Sequence, residues 1–110
     1  MRSQFKSPLM IKAGKVEAAG ELMWEPGEEQ SLVSVSISQK QHKVAGMATS
    51  RKKFIKPATN WKLDIKPGYD EPGYDAFKPG VANAVGIICA MGSQVRVFFW
   101  SQEVKLKLTP

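Results

Sequence analysis

The strongest hydrophobic pattern of the chain lies between residues 81 and 108, where two apolar runs flank Gly92-Ser93. Gly-Ser between apolar runs is typical of a two-residue β-hairpin turn, in which Gly supplies the positive φ of a type II′ turn. Such a turn fixes the pairing of the two strands. One face would carry the pairs Ala90–Val95, Ile88–Val97 and Gly86–Phe99, and the other face Cys89–Arg96, Ile87–Phe98 and Val85–Trp100.

Both faces of this hairpin are apolar, whereas a hairpin with one face in water alternates apolar and polar residues. The first face is expected to pack in the core, through Ile88, Val97 and Phe99. The second would form an exposed patch larger than soluble monomers usually carry, so it needs cover from another subunit or from the N-terminal arm. The predicted contact residues are Val85, Ile87, Phe98 and Trp100, together with Leu9, Met10 and Ile11 of the arm.

The rest of the chain alternates in short segments that predict further strands. Residues 14–25, 30–39 and 60–66 each place apolar residues at every second position, and residues 44–50 form a weaker strand with small side chains. Pro26-Gly27 suits positions i+1 and i+2 of a type II turn. The apolar phase slips near Ser101-Gln102, which predicts a β-bulge in the last strand.

No segment has helical periodicity, and six or seven short strands separated by turns predict a β-sandwich or a small barrel. We expect an all-β chain, a small antiparallel β-sandwich of immunoglobulin-like type, with a small β-barrel as the alternative. Residues 1–13 are interpreted as an N-terminal arm and residues 14–110 as one β-sandwich domain, in line with the length of 110 residues.

A loop of Pro, Gly, Tyr and acidic residues separates the predicted core strands, with PGYD present twice between residues 67 and 75. Tyrosine on such a loop is a common recognition composition. The predicted loop contacts are Tyr69, Asp70, Tyr74 and Asp75. The alternative interpretation is that the tyrosines cover the edge of the sandwich.

The net charge is +6, and it is segregated along the chain. Residues 17–29 carry five Glu and no base, whereas residues 40–66 carry eight Lys or Arg and one acid. A basic patch favours nucleic acid or another polyanion, although two ordinary solvated surfaces would give the same composition. The candidate polyanion-binding residues are Lys43, Arg51, Lys52, Lys53, Lys56, Lys62 and Lys66.

The sequence offers little for catalysis. The single histidine, His42, and the single cysteine, Cys89, lie in a polar turn and in the most apolar strand. A cysteine in such a strand acts as a small hydrophobe, and the acidic pairs lie in turns where solvation explains them. We therefore expect a protein that is not an enzyme, with no catalytic residue, no metal site and no cofactor.

These patterns favour a structural or interaction protein that assembles with copies of itself or docks on a larger protein scaffold. A virion, tail, pilus or decoration-type subunit would fit. The alternatives are a polyanion- or nucleic-acid-binding module and a loop-based carbohydrate or protein binder. No signal peptide or membrane span is visible in the sequence, so a cytoplasmic location or one within a particle is favoured.

Overall fold

The computed structural model describes residues 1–68 and 76–110, and eight strands account for most of them. The predicted loop contacts Tyr69, Asp70, Tyr74 and Asp75 lie outside the described residues. A single 3-10 turn spans Lys40–His42. The strands are β1 (Leu9–Lys12), β2 (Lys15–Glu21), β3 (Glu28–Gln39), β4 (Val44–Thr49), β5 (Phe54–Ile55), β6 (Asn60–Ile65), β7 (Gly80–Gly92) and β8 (Arg96–Leu108).

The strands form one sheet in the order β4-β3-β7-β8-β1-β2-β6, with β5 paired to β3. All pairs are antiparallel except β1 with β8. The sheet curls so that β6 returns to face β3 and β4, and the two ends of the sheet nearly meet. The predicted all-β class is confirmed. The two short strands β1 and β5 bring the number of strands to eight.

The predicted alternation decides which residues enter the core. In β3, Val33, Val35 and Ile37 are buried, while the serines between them are half-buried on the opposite face. The inward residues of β3 face a layer that contains Trp61 and Ile65 of β6, both almost fully buried. The predicted turn at Pro26-Gly27 is also confirmed, because Gly27 has φ +86° and the Glu28 amide donates to the Glu25 carbonyl at 3.2 Å.

The predicted register of the β7–β8 hairpin is wrong by one residue. Phe98 pairs with Ile88 and Trp100 with Gly86, so both aromatic side chains lie on the inward face. Phe99 instead pairs with Ile87 and points outward. Because successive side chains alternate between faces, a shift of one residue moves every side chain of β8 to the other face.

The reason for the shift lies at Gly92. Gly92 ends β7 as a partner of Glu28, and the Ser93 amide donates to the Gly27 carbonyl at 3.1 Å. A Cβ on Gly92 would overlap the Gly27 carbonyl oxygen, so the glycine serves a close backbone approach and has no positive φ. The turn is consequently formed by residues 93–95, and the type II′ turn predicted at Gly92-Ser93 is absent.

The bulge predicted near Ser101-Gln102 is also wrong. The β7–β8 register runs without a shift from Gly80–Leu106 to Ala90–Arg96. Even-numbered residues of β8 face inward from Phe98 to Leu106, and Val104 and Leu106 are buried. The apparent slip of phase arises because the outward positions of the first half of β8 are apolar as well.

The segment interpreted as an arm is packed into the sheet. Met1 and Phe5 are 1% and 4% exposed, and residues 9–12 form β1 between β2 and β8. The Met1 amine lies 2.7 Å from the buried Glu28 carboxylate. Arg2 and Phe5 make isolated bridges to Met23 and Gly20, which extend the pairing beyond β2.

Gln39, at the end of β3, forms hydrogen bonds with the segment that leads into β7. Its amide nitrogen donates to the Lys78 carbonyl at 2.8 Å, and its amide oxygen accepts from the Lys78 amide at 3.0 Å. The Gln39 side chain is 1% exposed, so these bonds are shielded from water. A buried polar group that loses its partner costs about 1–3 kcal/mol.

We therefore expect Gln39→Ala to lower the free energy of unfolding by about 2 kcal/mol, because the Lys78 backbone groups lose their side-chain partner. Urea denaturation monitored by tryptophan fluorescence measures this loss. Gln41→Ala is the matched control, since Gln41 is exposed and its side chain donates to the Val81 carbonyl at 2.8 Å. Equal effects of the two substitutions would contradict the account of Gln39.

Candidate functional site

Fourteen neighbouring outward positions carry no charged side chain. They lie on β4, β3, β7 and β8, with Ile55 of β5 at one corner. The strand registers place these residues in adjacent rows, for example Met47–Ser36–Val85–Ser101 and Thr49–Ser34–Ile87–Phe99. We call this surface the outer face. Its residues are Gln30, Leu32, Ser34, Ser36, Met47, Thr49, Ile55, Val85, Ile87, Cys89, Met91, Val97, Phe99 and Ser101.

The β7–β8 half of the outer face is strongly apolar and open to solvent. Phe99 is 80% exposed and Val97 64%, and across the hairpin Ile87 and Val85 are 45% and 38% exposed. On the β3 side, Ser34 and Ser36 lie in line with Gln30 and Leu32, and the Ser34 and Thr49 hydroxyls hydrogen-bond each other at 2.8 Å. The edge beyond β3 is apolar again, with Met47 69% and Ile55 64% exposed. The face therefore offers an apolar ridge on β7 and β8 beside a strip of small side chains, Ser34, Ser36 and Thr49.

Only part of the predicted contact set lies on this face. Val85 and Ile87 do, whereas the register shift turns Phe98 and Trp100 inward, where both pack against the core. In the arm, Leu9 and Ile11 are buried within the chain's own core and Met10 is half-buried. Val97 and Phe99, which were expected in the core, take the outward positions instead.

An aromatic cluster beneath the outer face supports the first half of β8. The Trp100 ring centroid lies 5.0 Å from that of Phe5 and 6.4 Å from that of Trp61. The Trp100 indole also lies directly against Gly86, so that a Cβ there would overlap three ring carbons. Because Trp100 is anchored inward, the neighbouring Phe99 is presented outward from a fixed backbone.

A second surface is a groove where the two ends of the sheet, β4 and β6, face each other. At one end the chain after β6 crosses onto β4, and the Gly68 amide donates to the Ala45 carbonyl at 2.6 Å. The rest of the groove is open, with a volume of about 750 Å³. Its basic lining residues are Lys15, Arg51, Lys52, Lys53, Lys62 and Lys66.

Five of the seven residues predicted for polyanion binding line the groove, and Lys43 and Lys56 do not. Lys52 and Lys53 are exposed, as is Lys56, which follows β5. Lys43 lies after the 3-10 turn with a left-handed backbone, φ 50°. Lys15 could not be predicted as a groove residue, because only the pairing of Val16 with Ile65 brings the start of β2 beside the end of β6.

The two residues weighed for nucleophilic catalysis are far apart along the sheet. Cys89 pairs with Leu32, whereas His42 follows the end of β3 at Gln39. The seven residue steps from Leu32 to Gln39 span about 23 Å in a strand. Within residues 1–68 and 76–110, no three His, Cys, Asp or Glu side chains are grouped as metal ligands would be.

Comparisons with known proteins find structural similarity at low sequence identity. No family model and no curated protein matches the sequence. Among solved structures, a structure of murine CRIg matches with a TM-score of 0.46 and 12% identity, over 100% of both chains. In the part of the chain that the structure describes, no helix has the length and apolar character needed to cross a membrane.

Proposed function

We propose that this chain is a non-enzymatic structural protein that assembles through its outer face, and that the partner is a second copy of the same chain. The supporting observation is the coincidence of an apolar ridge, with Phe99 at 80% exposure, and the fourteen adjoining outward positions of the outer face, which carry no charge. Interface cores differ from ordinary surfaces in the same two respects, since aromatic residues are enriched there and charged residues are depleted.

The charge distribution favours a second copy in a face-to-face arrangement. The chain carries a net charge of +6, so two copies repel each other at most relative orientations. The outer face contributes nothing to that repulsion, because its fourteen positions are uncharged. A twofold axis near the boundary of β3 and β7 would place each Phe99 against Ser34 and Ser36 of the other copy, so that large side chains would meet small ones.

The size of the outer face is compatible with a weak dimer. Strands lie about 4.8 Å apart and residues on one face about 6.7 Å apart, so four strands and four rows cover roughly 500 Å² in projection. Because side chains project from the sheet, the accessible area exceeds this projected area and approaches the roughly 800 Å² per partner of a standard interface. We therefore expect a dissociation constant in the micromolar range.

Sedimentation equilibrium over a concentration series tests this proposal. We expect the average mass to rise from that of one chain, 12.2 kDa, toward twice that value through the micromolar range. Added salt should leave the association unchanged or strengthen it, because salt screens the repulsion between two basic chains. A constant mass of one chain at all concentrations would contradict self-assembly, and loss of the dimer on adding salt would contradict an uncharged interface.

A further inference from the structure

We infer that the basic groove between β4 and β6 binds a single-stranded nucleic acid through its phosphate backbone. This site is separate from the proposed assembly, and its test is independent of it. The groove combines three properties that such a ligand needs: an open concave channel, a positive lining and an aromatic side chain next to the channel. Each of these comes from a different part of the fold.

The channel exists because the sheet does not close. β4 and β6 are the two ends of the strand order, and they share no strand ladder. The crossing of residues 66–68 over β4 keeps one end of the channel shut, since a Cβ on Gly46 would overlap the Lys66 carbonyl oxygen. At the other end, the β4–β5 connection from Ser50 to Lys53 forms the wall.

The lining is strongly positive. Six Lys or Arg side chains surround the channel, against one carboxylate, that of Asp64. Among residues 1–68 and 76–110, Lys62 is the one groove cation with an acidic partner, at 3.6 Å from Glu17. Because most of these cations have no ion pair within those residues, they can neutralise phosphates without breaking existing contacts. Five of the six are lysines, which recognise charge and do not read base edges.

The shape favours a single strand over a duplex. A volume of about 750 Å³ is that of a ligand pocket, so a flexible strand can enter it, whereas a rigid duplex can touch only the rim. Phe54 lines the channel and is half-buried, with its backbone fixed by pairing to Ser31. An aromatic ring held beside a row of cations is the usual arrangement for stacking one base without sequence preference.

The test is fluorescence anisotropy with a labelled twenty-nucleotide oligothymidylate, measured from low to moderate salt. Binding should weaken steeply with salt, with a slope of about −0.7 for each phosphate contacted. The triple variant Arg51→Ala, Lys52→Ala, Lys53→Ala changes exposed positions outside the strands and should reduce that slope by about 2, with an affinity loss of at least tenfold. The matched control removes three exposed lysines elsewhere, by Lys40→Ala, Lys105→Ala and Lys107→Ala.

Three results would overturn the inference. Equal losses in the two triple variants would show that net charge alone attracts the strand. A duplex that binds as tightly as the single strand would contradict entry into the channel. The third result concerns Phe54→Leu, which preserves apolar packing and should weaken oligonucleotide binding about fivefold or more while leaving inorganic polyphosphate binding unchanged. Equal effects on both ligands would contradict base stacking.

Discussion

Gly86→Ala should lower the free energy of unfolding by about 3 kcal/mol, near the upper end of the cost of overpacking a core. The added methyl group would occupy space filled by the Trp100 indole, which is itself held by Phe5 and Trp61. The ring can move only by disturbing that cluster, since Trp61 is 2% exposed. Urea denaturation followed by circular dichroism measures the effect.

Two controls separate this clash from a general intolerance of substitution in β7. Val85→Ala changes the adjacent outward position and should cost well under 1 kcal/mol in the monomer, because surface substitutions are usually within about 0.5 kcal/mol. The double variant Gly86→Ala, Trp100→Leu should be less destabilised than the sum of its single variants, because the smaller side chain leaves room for the methyl group. Additive effects of the two substitutions would contradict the proposed contact.

Phe99→Lys should weaken self-association at least about 100-fold, equivalent to about 2.7 kcal/mol. Phe99 is the most exposed large apolar residue of the outer face, and in a symmetric dimer each copy would bury one lysine without a partner. The monomer should keep its stability, since the side chain is 80% exposed before the change. Sedimentation equilibrium of the variant, with its thermal unfolding measured in parallel, gives both quantities.

Leu108→Lys is the matched control for that substitution. Leu108 lies on the same strand with 62% exposure, and the change in charge is identical, but the residue is at the far end of β8 from the outer face. The control should dimerise as the unmodified chain does. If both variants lose the dimer equally, net charge governs the association and the outer face has no specific part in it.

Strands β3 and β6 could be predicted from the sequence because each has one apolar and one polar face. In β3 and β6 the alternation alone identified Val35, Ile37, Trp61 and Ile65 as inward, and all four are buried. Where both faces of a strand are apolar, period-two alternation cannot decide which one enters the core. The β7–β8 hairpin is such a case, and its register rested on a local turn pattern alone.

That local pattern was overridden by a contact distant in sequence. Gly92 packs closely against the Gly27 carbonyl and pairs with Glu28. The local turn pattern contains no information about this contact. A better signal was nevertheless available in the second half of β8. Lys105 and Lys107 must face solvent, and following an unbroken strand back from them places Phe99 outward and Trp100 inward.

The two candidate surfaces differ in how far the sequence could identify them. The composition of the basic segment predicted five of the six groove cations. The channel itself and the position of Lys15 could not be predicted, because both depend on the β2–β6 pairing. The outer face could be anticipated as an excess of apolar residues in the hairpin. Its extent could not, because the uncharged rows combine side chains from five strands.

The reactivity of Cys89 tests most directly whether the outer face is the surface buried on assembly. Cys89 is the only cysteine of the chain, is half-buried, and lies between Leu32 and Val97 within that face. Its rate of modification by a thiol reagent should fall as protein concentration rises through the dimerisation range, and should stay constant in the Phe99→Lys variant. If the sedimenting mass doubles while the rate for the unmodified chain stays constant, the copies associate through another surface and the account is contradicted.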